Sequence, residues 1–277
     1  MTSRLPIVAA IPNYNMGEQL RTLLPEVLKA GYDDVFLLDD NSSDGSLAIT
    51  HSISPDIHIV SGGENKGAGA NRNRILTALS QESIVHFLDA DVVLNTPHMA
   101  DAIRKVLSKE DFGFITGLVK TPDGFQSVWN YGPRQSLYSG RGAGFQGQIG
   151  ALLSHNPDEA RNIREQHIQL LSPWPDPLSP PIPRPIYWGI ESNMIINSRV
   201  FKAMGGFDET LREHEIQDVA IRMASLGLGR FFEPSLSVTQ YTVNVREYDR
   251  SREARQAESK IARKHGLLKW LFSTSHS

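Results

Sequence analysis

The sequence predicts an α/β protein with a doubly wound, mostly parallel sheet flanked by helices. Short apolar runs of strand length alternate with helix-spaced segments four times between residues 5 and 107. The runs are apolar throughout, as strands covered on both faces are. They stop on polar residues, the pattern by which an open α/β sheet presents ligand-binding groups along the carboxyl edge of its strands.

Residues 5–11 (Leu-Pro-Ile-Val-Ala-Ala-Ile) form the first strand, and Pro12-Asn13-Tyr14-Asn15-Met16-Gly17 breaks it. Residues 18–30 then place Leu20, Leu23, Leu24, Val27 and Leu28 at helical spacing, with Gly31 as the residue past the helix end. Val35-Phe36-Leu37-Leu38 is the second strand, stopping at Asp39-Asp40. Asn41-Ser42-Ser43-Asp44-Gly45 is turn chemistry that also suits the cap of a helix through Leu47-Ala48-Ile49. Ile57-His58-Ile59-Val60 is the third strand. The Gly-rich stretch 62–74 opens a helix continuing through Ile75, Leu76 and Leu79. It lacks the Gly-Lys-Ser/Thr ending of a Walker loop and the glycine spacing of a dinucleotide fingerprint. A helix start with Lys66, Arg72 and Arg74 nearby still suits a diphosphate or a base edge.

The fourth strand, Ile84-Val85-His86-Phe87-Leu88, delivers Asp89-Ala90-Asp91. Side chains alternate along a strand, so the two carboxylates point the same way past a small residue. Paired hard oxygen donors suit Mg²⁺ or Mn²⁺, which complete their coordination with water and substrate phosphates. A helix over 97–107 and a strand over 112–119 follow. Residues 121–150, rich in glycine and aromatics, give no regular pattern. Asn156-Pro157 caps a helix to residue 171, and the prolines of 172–185 predict an extended surface segment of the kind that serves as a lid. Strand character returns over 186–197, Ser198 caps a short helix through Val200, Phe201 and Met204, and Gly205-Gly206 stops it. The next helix begins near Glu213. There Glu215 and Asp218 share a face and Arg222 lies one turn beyond, which fits an Asp218–Arg222 ion pair and a Glu215 carboxylate aimed into a cleft.

With 277 residues the chain can bury the core of one large α/β domain with an appendage, or of two modest domains. Its 28 basic residues against 31 acidic ones give no bulk positive field for nucleic acid. The absence of cysteine removes disulfides, thiolate catalysis and Cys-ligated zinc. No stretch approaches the roughly 20 apolar residues of a membrane span, and the N-terminus lacks a signal peptide's order of charge and apolarity. The expected setting is therefore cytoplasmic. Residues 246–269 are charged and helical in character, with Ile261, Leu267, Leu268, Trp270, Leu271 and Phe272 set among Lys260, Arg263, Lys264, His265 and Lys269. Such a tail suits its own domain, a second subunit of a homodimer, or an anionic membrane surface at the inner face.

Taken in order, the apolar strand with Pro12-Asn13-Tyr14-Asn15, the 37–45 segment, Asn65-Lys66-Gly67 with Ala70-Asn71-Arg72-Asn73, Phe87-Leu88-Asp89-Ala90-Asp91, and Asn193-Met194 with Gly205-Gly206-Phe207-Asp208-Glu209 resemble the family 2 glycosyltransferases. The resemblance covers residues 5 to about 240. It implies a GT-A fold, a Rossmann-like sheet with a smaller acceptor-side region, over 1–240: a nucleotide-binding half at 1–119, an acceptor-binding half at 120–240, and a helical tail at 241–277. It implies that Pro12, Asn13, Tyr14, Asp40, Asn65, Lys66 and Arg72 hold the nucleotide. Asp89 and Ala90 would lie by the ribose, and Asp91, with Asp89, would bind Mn²⁺ or Mg²⁺. Glu215 to Arg222 resembles the family's Glu-Asp-x-Asp-Leu-x-x-Arg motif, which implies catalytic roles for Glu215 and Asp218.

The sequence departs from the pattern twice. Ile216 stands where the family has its usual aspartate base, leaving Glu215 as the nearest candidate and Glu191 or Asp208 as others. Gln240 stands where members often carry a metal-assisting histidine, for which His214 is a substitute. The implied reaction moves a sugar from a nucleotide-diphosphate sugar, UDP-linked, to a hydroxyl acceptor that is a glycan, a lipid-linked molecule or a small molecule, with inversion. A retaining transferase and a sugar-nucleotide-binding protein without catalysis are the competing readings.

Overall fold

The structure, a computed structural model, describes residues 4–108, 113–134, 137–243 and 249–266, without the side chains of 137–139 and 251. In chain order the first elements are β1 (Ile7–Asn13), α1 (Gly17–Lys29), β2 (Asp34–Asp39), α2 (Ser46–Ile53), β3 (His58–Ser61), α3 (Ala68–Asn73), α4 (Ile75–Ala78) and β4 (Ile84–Leu88). They are the predicted strand–helix alternation, and β3, β2, β1 and β4 run parallel. Strand alternation splits the core in two. Ile7, Ala9 and Ile11 pack with Leu20, Leu24 and, from α5 (Met99–Leu107), Ile103 on one face. Val8, Ala10 and Phe87 pack with Phe201, Phe207 and Met223 on the other.

The later elements are β5 (Val92–Leu94), which follows β4 and precedes α5, then β6 (Phe114–Lys120), β7 (Tyr131–Gly132), α6 (Leu137–Leu152), α7 (Pro157–Gln166), α8 (Ile168–Leu171), β8 (Arg184–Pro185), β9 (Trp188–Gly189), β10 (Asn193–Asn197), α9 (Ser198–Ala203), α10 (Glu215–Ser225), β11 (Arg230–Gln240) and α11 (Arg250–His265). Among the described residues the main sheet has nine strands, ordered β3-β2-β1-β4-β10-β6-β11-β5 with β8 on β11. β10 is antiparallel to both β4 and β6. It therefore starts where they end and brings Ser192 to the same edge as Asp89. Residue 112, expected to open the β6 strand, lies outside the described residues.

Two expectations need correction, and residues 121–150, for which the sequence named no element, carry most of α6. Its glycines serve packing: a Cβ at Gly142 would stand 2.7 Å from Trp174 Nε1, and one at Gly150 3.0 Å from Val128 Cγ2. The proline-rich segment is extended but fastened, because Pro175 O accepts from Gln146 Nε2 at 2.8 Å and Arg164 Nη1 at 3.1 Å, and Arg164 pairs with Asp176 at 3.0 Å. Asn197, not Ser198, caps α9, accepting from Arg199 N at 2.7 Å. Ser198 Oγ instead accepts from Ser83 N at 3.0 Å.

A buried polar chain crosses the sheet just below Asp89. The His86 ring, inaccessible to solvent, has Tyr32 Oη at 2.7 Å from Nδ1 and Asn193 Oδ1 at 2.8 Å from Nε2. Asn193 Nδ2 donates on to Leu118 O and Leu236 O. Gly117 makes room for it, since a Cβ there would stand 2.3 Å from Asn193 Nδ2. Burial pushes His86 down to about 4 from 6.5, so the folded protein holds a neutral ring with Nε2–H donating to Asn193 and Nδ1 accepting from Tyr32. The unfolded chain binds this proton more readily. Stability is thus full above about pH 6.5 and falls with acid down to about pH 4, by about 3 kcal/mol from this group. Urea unfolding across that window checks the slope, and a His86 ring resonance titrating near its ordinary value would refute it.

At the far end of the chain, α11 docks on its own domain. Ala257 and Ile261 pack on Leu211, and Lys264 Nζ reaches Asp218 Oδ1 at 2.9 Å and Asp208 Oδ2 at 2.7 Å. His265 Nε2 lies 2.7 Å from the same Asp218 oxygen. Leu267, Leu268, Trp270, Leu271 and Phe272 of the expected tail lie outside the described residues. No helix among the described residues is long and apolar enough to cross a membrane.

Candidate active site

The strand ends open into one cleft of about 1460 Å³. Pro12, Asn13 and Tyr14 from the end of β1, Asp40 after β2, Asn65, Arg72 of α3, Asp89-Ala90-Asp91 after β4, and Glu215 at the start of α10 all line it. Among the sequence candidates, Lys66, Arg74, Asp208 and Asp218 do not.

Each side chain is held by its neighbours. Asp39 Oδ1 accepts from Asn13 Nδ2 at 2.8 Å, fixing the end of β1 to that of β2. Asp40 is buried, and its oxygens accept from Lys66 N, from Gly67 N at 2.8 Å and from Arg74 Nη2 at 2.9 Å. Asp40 thus shapes the Asn65–Gly67 turn. Lys66 enters this network through its backbone, while its ammonium lies 3.5 Å from Glu64. Asn71 ties α3 to the sheet by donating to Leu38 O at 2.6 Å.

Arg72 is buried under the cleft floor, and its Nη2 donates to Asp89 Oδ1 at 2.5 Å. Its Nε and Nη1 find no hydrogen-bond acceptor among the described residues. Asp91 Oδ1 accepts from Gln240 Nε2 at 3.0 Å and Oδ2 from Val243 N at 3.1 Å. Gln240 therefore orients Asp91 through its amide nitrogen. Burial and the adjacent Asp89 carboxylate raise Asp91 above the usual carboxylate range. The part of this shift due to Asp89 reflects two carboxylates held close together, a charge a cation offsets. Among the described residues no group of three or more Asp, Glu or His is gathered to hold a metal. Two carboxylates nonetheless fit Mg²⁺ or Mn²⁺, whose remaining ligands are commonly waters and phosphates.

The acidic side of the cleft is equally constrained. His214 adopts a left-handed backbone (φ 62°) and turns the chain into α10, presenting Glu215 at its first position. Burial, then the neighbouring Glu191, raises Glu215 to about 7. Glu191 lines the cleft too and is also raised, by burial first. Ile216 is buried in the core beside Val219 and also reaches the cleft lining. Asp218 has no solvent exposure, and one of its oxygens meets Arg222 Nη2 at 2.7 Å, as expected, while the other meets Lys264 and His265. Against the effect of burial, these bonds hold Asp218 below its ordinary value. Asp208 is absent from the lining, and although partial burial acts the other way, bonds from Lys264 and Thr210 keep it at about 2. His214 faces Glu258 at 3.9 Å, and no hydrogen bond or ion pair among the described residues joins it to Asp91.

With this geometry in place, the sequence pattern of Glycosyl transferase family 2 matches residues 8–160. The chain belongs to Glycosyl transferase family 2. This glycosyltransferase is 25% identical over 254 residues to the N-acetylglucosaminyl-diphospho-decaprenol L-rhamnosyltransferase of Mycobacterium tuberculosis, spanning 87% of this chain and 77% of the relative. Solved structures of similar fold include S. aureus TarS 1-349, at a TM-score of 0.60 and 16% identity, and the mannosyltransferase PcManGT from Pyrobaculum calidifontis in complex with GDP-Man and Mn²⁺, at 0.59 and 17%. Each is matched over 94% of this chain, which spans 65% of theirs. GalNAc-T7 with UDP, GalNAc and Mn²⁺ matches at 0.59 and 15% identity, over 87% of this chain and 44% of its own. The fold of this glycosyltransferase is thus GT-A.

Two features of the cleft were not identified as site components from the sequence. α11 contributes Arg250, Glu258 and Ser259 to the wall, and three tryptophans stand along the lining. The first is a relation between distant segments, with no local signal, whereas Arg74, expected beside the ligand, instead backs Asp40.

Proposed function

We propose that the glycosyltransferase moves a sugar from a nucleotide-diphosphate sugar, a UDP-sugar, to a hydroxyl of its acceptor by single displacement with inversion. The observation that carries this is Glu215, a buried carboxylate raised to about 7, in the same cleft as Asp89 and Asp91. Glu215 takes the proton of the acceptor hydroxyl as its oxygen forms the new bond to the sugar's anomeric carbon. The bond from that carbon to the donor phosphate breaks, and the diphosphate leaves with the electron pair. Ile216 leaves the usual base position without a carboxylate, and Glu215, one residue before it and in the cleft lining, takes that role.

Residues 1–119 bind the donor, with Pro12, Asn13, Tyr14, Asp40 and Asn65 at the base end and Asp89-Ala90 by the ribose. Arg72, buried beneath the cleft, serves the nucleotide side by holding Asp89 in place. Asp91 and Asp89 would hold Mn²⁺ or Mg²⁺, which when bound offsets negative charge growing on the leaving diphosphate. Residues 120–240 with α11 bind the acceptor. The name of the curated relative specifies a diphospho-decaprenol-linked sugar, which favours a lipid-linked acceptor reached at the inner membrane face. Thermal unfolding with UDP, dTDP and GDP, each with Mn²⁺ or with chelator, tests the donor half. One nucleotide is expected to raise the midpoint only when Mn²⁺ is present, since a ligand of the native state stabilises it. No shift with any of them refutes the reading.

A further inference from the structure

We propose that Trp129, braced by Trp174 and Trp188, is the platform on which a pyranose ring of the acceptor lies. This rests on the sugar-transfer reading and names the acceptor's chemical class.

Three of the chain's four tryptophans line the cleft. They form one edge-to-face series, Trp129 to Trp174 with ring centroids 5.6 Å apart at 83°, and Trp174 to Trp188 at 5.9 Å and 75°. Trp174 and Trp188 are 5% and 7% exposed, whereas Trp129 is 39% exposed. The inner pair is therefore scaffold, and the outer ring is the one open to a ligand. Its position is set in advance: Trp129 N donates to Ser127 Oγ at 3.2 Å, and the helix α6 passes beneath it at Gly147, where a Cβ would stand 3.8 Å from Trp129 Cζ2. An exposed indole braced edge-to-face by a buried partner loses less freedom when something stacks on it than an unbraced one.

Strand order says which substrate reaches it. Along the carboxyl edge run β2, β1, β4, β10 and β6, which place Asp40, Asn13, Asp89 and Ser192 in turn, and the chain leaving β6 carries Trp129. The tryptophans and the base end are thus on opposite sides of Asp89, so the donor base does not occupy them.

The chemistry selects a sugar ring. An indole face is negative at its π cloud and attracts the partly positive axial C–H groups of a pyranose. The hydroxyls around that ring need polar neighbours, and Ser127, Arg141, Glu191 and Ser192 line the same cleft. A bare hydrocarbon chain would gain nothing from those charges.

The test is intrinsic tryptophan fluorescence of the full chain titrated with methyl glucopyranoside, galactopyranoside, mannopyranoside and N-acetylglucosaminide, and separately with farnesyl phosphate. At least one glycoside is expected to change the emission saturably, about tenfold more weakly in Trp129→Ala, the scale of one lost ring contact, with recovery in Trp129→Tyr. Binding of nucleotide with Mn²⁺ is expected to be equal in wild type and Trp129→Ala. The proposal is overturned if no glycoside acts on the wild type, if Trp129→Ala binds as well, or if only farnesyl phosphate does. The nucleotide measurement separates the two readings, because glycoside binding lost with Trp129 upholds this one even where no nucleotide binds.

Discussion

Glu215→Gln is expected to lower sugar transfer by about 10²–10⁴-fold, the range for losing a positioned general base, while nucleotide binding stays within about twofold. Glutamine keeps the size and hydrogen-bonding shape of the side chain but cannot take a proton. The wild-type rate also carries a pH signature. Glu215 is raised to about 7, so it is protonated below that pH and unable to accept, and the rate climbs with pH to a plateau above it. The variant's residual rate lacks this limb. Glu191 is the second lever, because its charge is one cause of the raised value. Glu191→Gln is expected to shift the limb to lower pH, provided its own loss leaves transfer measurable. Steady-state rates from about pH 5.5 to 8.5 decide both. A Glu215→Gln enzyme with full activity would remove the base assignment.

Asp91→Ala is expected to abolish the Mn²⁺-dependent part of nucleotide binding, by at least about 100-fold, since even outer-shell partners of a metal ligand cost about 10–100-fold. Asp91 is buried beside a second carboxylate, so in the metal-free protein its removal relieves repulsion at the expense of the bonds from Gln240 and Val243. The thermal midpoint without ligand should therefore change little. The shift caused by nucleotide with Mn²⁺ should vanish. Calorimetric titration of the variant with UDP and Mn²⁺ checks this, and unchanged affinity would exclude the Asp-x-Asp pair from metal binding. Gln240→Ala, which only frees Asp91 to rotate, is expected to give a smaller loss.

The parallel half of the fold was legible because β1, β2 and β4 are covered on both faces and so read as unbroken apolar runs. The part of the cleft at the ends of β1, β2 and β4 was legible for the same reason, since its residues sit directly at those strand ends. α6 was not. Glycine is a poor helix former, and the glycines at 142 and 150 are explained only by Trp174 and Val128, which no local window contains. β10 read as a strand, but its antiparallel direction depends on pairings with β4 and β6. The split between Asp218 as an ion-pair partner of Arg222 and Glu215 as a cleft carboxylate was legible from their spacing, but Lys264 and His265 as further partners were not. Their arrival makes Asp218 an ion-pair anchor, while Glu215 stays in the cleft.

That anchor bears on how the molecule is made. Every strand of the main sheet precedes residue 241, whereas the helix that clasps Asp218 spans Arg250–His265. Until α11 has been synthesised, Asp218 can pair only with Arg222, and the part of the cleft wall formed by Arg250, Glu258 and Ser259 is missing. All strands of the main sheet are thus made before the helix that completes the cleft.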